Sequence, residues 1–377
     1  MTMPGKYENS PSPSRGLETL AVETIKGHRQ NKLRCFFAQE LPDYLSSIDK
    51  LYARWRSCHK EGERKRIARK FLSASEAILD RAGSLEELIR DKVTLNRVKR
   101  LFRKTIGSRI YRSNMLRRGY EKPLGYPGDF QLIEAAYENK PLTEGVGELA
   151  DLLFLNDSYI VAVRHRKEEM RRILEHRLSI PHGRRVLRIL NLGAGSCREL
   201  REIDHRAWSS SGAHIELFLL DRDKKSLAFS VAALKKAPNI TVRTIETDVV
   251  DYARHPARYM DFLGELDLVY CIGLADYLPE FYLSGVIRTS SNLLRAGGEF
   301  VIAHKDLFRH KSLASDWICD WTFIPRSRAQ FGRLVKESLG KHDYSCELRT
   351  ITSGHVYFVI GRRKAFKARK ASARTSR

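Results

Sequence analysis

Paired cysteines are missing from this sequence of 377 residues. Its six cysteines are scattered and form no CxxC pair, which argues against a zinc site and a disulfide framework. No apolar run approaches the roughly 20 residues that a membrane-spanning helix needs. The first residues are polar and rich in Pro and Ser, without the apolar core of a secretory signal. These absences predict a cytoplasmic protein with no metal site.

Negative charge is also scarce. The chain has 45 Asp and Glu against 68 Lys and Arg, a formal net charge of +23. No acidic residue occurs between Lys99 and Arg118, or from Arg362 to the end of the sequence. Such a positive field favours an anionic partner, which could be nucleic acid, an anionic lipid or an acidic small molecule. A solvated basic surface would give the same composition.

The pattern of apolar residues divides the chain into segments. The first half has helical periodicity, and Ser84-Leu-Glu-Glu87 has the form of a capping box that predicts a helix beginning there. In the second half, short and nearly all-apolar strands alternate with helices, which predicts a parallel sheet covered on both faces. We therefore expect a disordered lead (1–17), a helical region (18–180), an α/β domain (184–363) and a basic disordered tail (364–377).

Two glycines follow the first predicted strand, in RVLRILNLGAGSCREL. Gly193 and Gly195 would let backbone amides approach a ligand without a Cβ in the way. Asp221 ends the second strand, where a carboxylate can accept hydrogen bonds from ribose hydroxyls, and Asp248 follows the third, within reach of an adenine amine. Gly273 follows the fourth strand. The carboxyl ends of parallel strands form the usual ligand site of such a sheet, so these positions predict a nucleoside ligand.

The loop that contains Gly193 and Gly195 indicates which kind of nucleoside would bind. The two glycines are followed by Ser196, Cys197 and Arg198, so the third glycine of a dinucleotide-binding loop is absent. There is also no Lys in the position of a phosphate-binding loop, so a ligand without phosphate is favoured. Together with the R-A-G-G turn before the fifth strand, this pattern resembles the class I S-adenosylmethionine-dependent methyltransferases. Their first motif has an acid at the position of Asn191. The resemblance implies a Rossmann-like fold and a set of cofactor-binding residues: Asn191, Gly193, Gly195, Asp221, Asp248, Val249, Cys271 and Gly273.

Four further stretches narrow the resemblance: KPLGYPGDF, NLGAGSCREL, VYCIGLADYLPE and DWICDWTFIPRS. They are similar to a bacterial subgroup of these methyltransferases that is labelled as 3-hydroxypalmitic acid methyl ester biosynthesis protein. The similarity covers roughly residues 116–361. It implies methyl transfer from S-adenosylmethionine to a small anionic acceptor, such as the carboxylate of a fatty or hydroxy fatty acid, which would give a methyl ester.

Candidate residues for the reaction lie where predicted strands end and on a loop of the helical region: Tyr126, Asp129, Asp276, Tyr277 and His304. Tyr126 and Asp129 belong to EKPLGYPGDF, which we expect to close over the cofactor or acceptor as a lid. Each candidate also has a structural interpretation, such as a helix cap at Asp129. A carboxylate acceptor needs no general base, whereas an amine or hydroxyl acceptor does, and the sequence leaves both open.

Two alternative functions stay open at this stage. The net charge would suit a nucleic-acid methyltransferase, although CIGLADY stands where an NPPY-like tetrapeptide would serve amine methylation, and no Pro-Cys nucleophile occurs there. The chain could also bind the cofactor without catalysing transfer, because a fold does not by itself establish an activity.

Overall fold

A computed structural model describes residues 28–180, 186–204, 212–235, 239–340 and 342–365. The chain divides into two compact units. The first takes its residues from Met1–Arg164 and His310–Thr322, and the second from His165–Arg309 and Phe323–Arg377. The predicted lead (1–17), residues 181–183 between the two predicted regions, and the tail beyond residue 365 lie outside the described residues.

The first unit is helical. The described part of this unit has two π-helical turns, Phe36–Glu40 and Ala314–Ile318, and the second is part of the segment His310–Thr322. The α-helices, in chain order, are α1 His28–Cys35, α2 Leu41–Ser57, α3 Glu61–Leu88, α4 Lys92–Ile110, α5 Asn114–Glu121, α6 Phe130–Glu138, α7 Gly147–Asn156 and α8 Ser158–Ser179. The residues of α8 from His165 onward belong to the second unit.

Two tryptophans of the segment His310–Thr322 lie in the core of this helical unit. Trp317 and Trp321 are both fully buried. The Trp317 ring packs edge-on against Phe102 of α4, with 5.3 Å between centroids, and its indole nitrogen donates to Glu86 of α3 at 2.8 Å. Trp321 packs against Tyr159 of α8 at 5.1 Å. A segment distant in sequence therefore completes the core of the first unit.

The capping box predicted at Ser84 is wrong. Ser84 lies inside α3, where its hydroxyl donates to the Asp80 carbonyl at 2.9 Å. A serine that bonds back to the carbonyl four residues earlier is compatible with a helix interior. The real helix start is at Asp91, whose carboxylate accepts from the amides of Val93 and Thr94 and caps α4.

The second unit contains a seven-stranded sheet. Its strand order is β3-β2-β1-β4-β5-β7-β6. The strands are β1 Val186–Leu192, β2 His214–Asp221, β3 Ile240–Glu246, β4 Leu266–Cys271, β5 Leu294–Lys305, β6 Tyr344–Thr350 and β7 Val356–Arg363. The helices of this unit are α9 Arg198–Arg201, α10 Lys224–Leu234, α11 Val249–Arg254, α12 Ala257–Leu263, α13 Glu280–Asn292 and α14 Arg328–Leu339.

This sheet, flanked by helices, is the Rossmann-like α/β architecture that the sequence predicts. The predicted all-parallel arrangement needs one correction, because β7 pairs antiparallel with both β5 and β6. The sequence analysis did not find β6, whose residues Tyr344, Cys346 and Leu348 alternate with polar ones. An edge strand buries only one face, so it lacks the continuous apolar run of the central strands.

Apolar side chains of β1, β2, β4 and β5 form a continuous buried cluster with helices α11, α13 and α14. The central strand β4 is almost wholly buried, whereas the edge strand β3 is half-buried or exposed along its length. This packing fixes the carboxyl ends of the central strands, and therefore the loops that follow them. None of the described helices is long and apolar enough to cross a membrane.

Candidate functional site

The switch in strand order lies between β1 and β4, since β2 follows β1 on one side and β4 pairs with it on the other. Ligands of doubly wound sheets bind outside the carboxyl ends of the strands at such a point. The loop 193–197 follows β1 here. We refer to it as the glycine loop.

Three alternate residues of the glycine loop have left-handed backbone conformations. Gly193, Gly195 and Cys197 have φ angles of 68°, 54° and 50°. A Cβ at Gly193 would lie 2.7 Å from the Leu274 side chain, so a close approach requires glycine there. A Cβ at Gly195 would meet no atom within 4 Å and would instead fill open space. Cys197 thus has a glycine-like conformation although its side chain is that of a cysteine.

Asp221 holds this loop in place. One carboxylate oxygen accepts from the Gly195 amide at 2.8 Å and the other from the Asp223 amide at 2.9 Å. Burial is the main cause that raises the pKa of the Asp221 carboxyl above its usual value. Each carboxylate oxygen has a second lone pair, so Asp221 can also accept from hydroxyl groups of a ligand. The structure therefore brings together Gly195 and Asp221, which were predicted separately.

The other residues predicted to bind the cofactor have structural contacts. Asp248 caps α11 by accepting from the Val250 amide at 2.8 Å, and its carboxylate lies 3.8 Å from the Arg222 guanidinium. Val249 and Cys271 are buried, and their side chains pack in the core cluster. Gly273 follows β4, and a Cβ there would lie 3.9 Å from the guanidinium of Arg166. Whether these residues bind a cofactor stays a prediction.

Asp276 and His304 lie together, away from solvent. His304 is fully buried, and its Nδ1 lies 2.8 Å from Oδ1 of Asp276, which is 1% exposed. Asp276 also accepts from Arg166 Nη1 at 3.1 Å and from the Lys305 amide at 2.9 Å. Burial acts to raise the pKa of the Asp276 carboxyl, but His304 and Arg166 outweigh it and hold that pKa well below the usual range. This buried charge network anchors the loop after β4.

Tyr277 is partly buried, and its ring packs against Phe323 with 5.7 Å between centroids. Tyr126 and Asp129 belong to the first unit. Asp129 is 1% exposed and caps α6 by accepting from the amides of Gln131 and Leu132. Its carboxylate also accepts from Arg118 Nε at 2.9 Å. Asp129 is therefore a helix cap, which was its structural interpretation from sequence. The lid role of Tyr126 and Asp129 stays a prediction.

The sequence analysis missed three residues next to the predicted ones. Arg166 lies in a long basic run on α8, which in sequence looks like a solvated face. Ser196 lies in the glycine loop and Glu199 lies two residues beyond its end, and both are buried. The Ser196 hydroxyl has no hydrogen-bond partner among the described residues. Polar residues in and just after a glycine loop were the available signal for the last two.

No protein-family model and no curated protein matches the sequence. Solved structures resemble the chain at low identity. A possible exported protein from Bordetella parapertussis is 15% identical with a TM-score of 0.47, over 91% of this chain and 99% of that one. A DUF574 family protein from Streptomyces avermitilis MA-4680 is 14% identical with a TM-score of 0.45, over 63% and 97%.

A third similar structure is magnesium protoporphyrin IX methyltransferase (ChlM) from Synechocystis PCC 6803 with bound SAH. It is 12% identical with a TM-score of 0.39, over 56% of this chain and 87% of that one.

Proposed function

We propose that this chain is a methyltransferase that uses S-adenosylmethionine and acts on a small anionic acceptor. The single observation that carries the proposal is the contact between the Gly195 amide and Asp221 at the switch point of the sheet. It fixes a loop with glycine-like backbone beside a carboxylate at the end of the neighbouring strand. A nucleoside without phosphate needs this combination of an open backbone and an acceptor for hydroxyls.

The residues present fit such a ligand on three counts. The space beside Gly195 is open. Asp221 keeps acceptor capacity after its two backbone contacts. The buried Ser196 hydroxyl lacks a partner among the described residues, and buried polar groups in native proteins usually have one. We assign Asp221 to the ribose hydroxyls, the glycine loop to the amino-acid end of the ligand and Asp248 to the adenine.

When bound, S-adenosylmethionine supplies an electrophilic methyl group, whose bonding pair stays with sulfur as an acceptor atom takes the carbon. The protein's part is to orient the acceptor in line and to exclude water. Asp276 and His304 are buried against each other, an arrangement that favours an anchoring role for them. An acceptor that is already an anion, such as a carboxylate, needs no general base.

We further propose a fatty or hydroxy fatty acid carboxylate as the acceptor, with a methyl ester as the product. Support comes from the four sequence stretches that resemble the methyl ester subgroup and from the net charge of +23, which attracts anions. Tyr126 and Asp129 are our candidates for the part of the helical region that closes on the acceptor.

Calorimetry with S-adenosylmethionine and S-adenosylhomocysteine tests the cofactor. Binding of either compound supports the proposal, and the absence of heat for both with folded protein would remove it. Incubation with methyl-labelled S-adenosylmethionine and fractionated bacterial extract then tests the acceptor. A base-labile, volatile label indicates a methyl ester, whereas a stable label would rule out the carboxylate and indicate an amine or ether product.

Alanine at Gly195 should weaken cofactor binding while leaving the protein folded. The new methyl group would fill the open space beside the loop and hinder the ligand. We expect S-adenosylhomocysteine to bind about tenfold more weakly or worse, equivalent to about 1.4 kcal/mol. Left-handed backbone at a non-glycine residue costs about 1–2 kcal/mol of stability.

Gly297→Ala is the matched control for this backbone cost. Gly297 also has a positive φ, 78°, and a Cβ there would have only the Arg295 guanidinium nearby, at 3.9 Å. The control should lose similar stability in thermal unfolding and keep its affinity. Equal affinities in the two variants would contradict the assignment of the glycine loop.

A further inference from the structure

Glu199 is a buried carboxylate without an ion-pair partner of its own. It is 3% exposed. Its Oε1 accepts from the Tyr270 hydroxyl at 2.8 Å and from the Asn191 side-chain amide at 3.2 Å. Among the described residues no cation forms an ion pair with it; the Lys167 ammonium contacts Glu168 and Glu202 and acts on Glu199 only through its charge. A buried charge is costly unless a counter-charge is present, so this carboxylate is suited to a cationic ligand group.

The position of Glu199 relates it to the glycine loop. Asn191 and Tyr270 are paired neighbours on β1 and β4, and both donate to the same oxygen of Glu199. Asn191 also donates to the sulfur of Cys197, within the glycine loop, at 3.5 Å. Asn191 occupies the place where the resembled motif has an acid. Asn191 is neutral, and the negative charge beside it comes from Glu199 on α9, which accepts a hydrogen bond from the Asn191 side chain.

We infer that Glu199 supplies the negative charge that binds the ammonium group at the amino-acid end of the cofactor. Asn191 and Tyr270 act as positioning residues, because their two hydrogen bonds hold the carboxylate in place. This inference rests on the proposed function. Burial raises the pKa of Glu199, as expected for a carboxylate whose counter-ion is supplied by a ligand.

Calorimetry tests the inference by measuring the affinity of each of two proteins for each of two ligands. The proteins are the full-length wild type and Glu199→Gln, whose amide oxygen can still accept from Tyr270. The ligands are S-adenosylhomocysteine and the analogue in which hydrogen replaces its amino group. Wild type should bind the analogue about 10- to 100-fold more weakly, the range of a charge-assisted contact. Glu199→Gln should lose affinity for S-adenosylhomocysteine by a similar factor and show little preference between the two ligands.

The matched control is Glu202→Gln, which removes an acid one turn later that pairs with Lys167 and Arg198. It should keep the wild-type preference for the amino group. A preference unchanged in Glu199→Gln would overturn the inference. So would an equal loss for both ligands, because that would indicate a purely structural role. Binding of the analogue by Glu199→Gln shows that the variant is folded.

Failure of the proposed function looks different in this experiment. In that case the wild type would bind neither compound, and the inference would fall together with the proposal. If the wild type binds both compounds equally, the nucleoside site stands and only the role of Glu199 is rejected.

Discussion

A fragment of residues 1–180 should not fold into the helical unit, although it contains the whole predicted helical region (18–180). It would lack the segment His310–Thr322, which belongs to that unit and contributes two fully buried tryptophans. Removing a buried tryptophan side chain costs about 3–5 kcal/mol. Two such losses are comparable with the whole stability of a domain, about 5–15 kcal/mol.

Further contacts of the segment would be lost with the tryptophans. Asp316 pairs with the Lys99 ammonium at 2.6 Å, and Lys99 is only 7% exposed. Asp320 pairs with Arg103 at 3.1 Å, and the Ile318 carbonyl accepts from the Tyr111 hydroxyl at 2.9 Å. Without the segment, two buried cations and a buried hydroxyl of the helical unit lose these partners, which adds to the cost of the exposed core.

Near-UV circular dichroism, thermal unfolding and dye binding would measure the effect. We expect helical far-UV spectra without a fixed tertiary signal, a broad transition and strong binding of a hydrophobic dye. A synthetic peptide of residues 310–322 should restore the cooperative transition. The same peptide with Trp317 and Trp321 replaced by alanine should not. Cooperative unfolding of the fragment on its own would show that the segment is dispensable.

Asp276→Ala should destabilise the protein by about 3–5 kcal/mol, because removing one member of a buried pair leaves the others without compensation. The Arg166 guanidinium, His304 and the Lys305 amide would all lose their contact with the carboxylate. Urea unfolding at neutral pH measures the change. Asp261→Ala is the control, since Asp261 is exposed and surface substitutions usually stay within about 0.5 kcal/mol.

The dependence of this effect on pH has a definite sign. The pKa of Asp276 is lower in the folded protein than in the unfolded chain. Its charge therefore contributes stability above the unfolded pKa of about 4, and this contribution is lost as pH falls through the lower folded value. The stability gap between wild type and Asp276→Ala should be constant above pH 5 or so and narrow below about 4. A gap that stays unchanged across this range, or a loss under about 1 kcal/mol, would contradict the buried network.

Much of the fold could be predicted from local pattern. The central strands are buried on both faces, so each appears in sequence as a short apolar run. The glycine loop and Asp221 could be located because the carboxyl ends of such strands meet at one edge of the sheet. The capping box at Ser84 was misleading, since the same residue pattern occurs inside α3, where tertiary packing continues the helix.

The parts that escaped prediction depend on contacts between distant residues. The tryptophans at 317 and 321 follow the fifth strand in sequence, yet they complete the core of the helical unit. The edge strand β6 alternates polar and apolar residues and shows no continuous run. Glu199 follows the glycine loop in sequence, but that position does not reveal its contacts with Asn191 and Tyr270.

Cys197, whose backbone in the glycine loop is in the left-handed region, has a thiol of low reactivity. Cys197 is 1% exposed, and burial raises the pKa of its thiol well above the usual value. Alkylating reagents attack the thiolate, so this sulfur is inert as long as the turn keeps its shape. Cys35, by contrast, is exposed. Alkylation at position 197 therefore requires the turn to open, which makes the thiol a reporter of that opening.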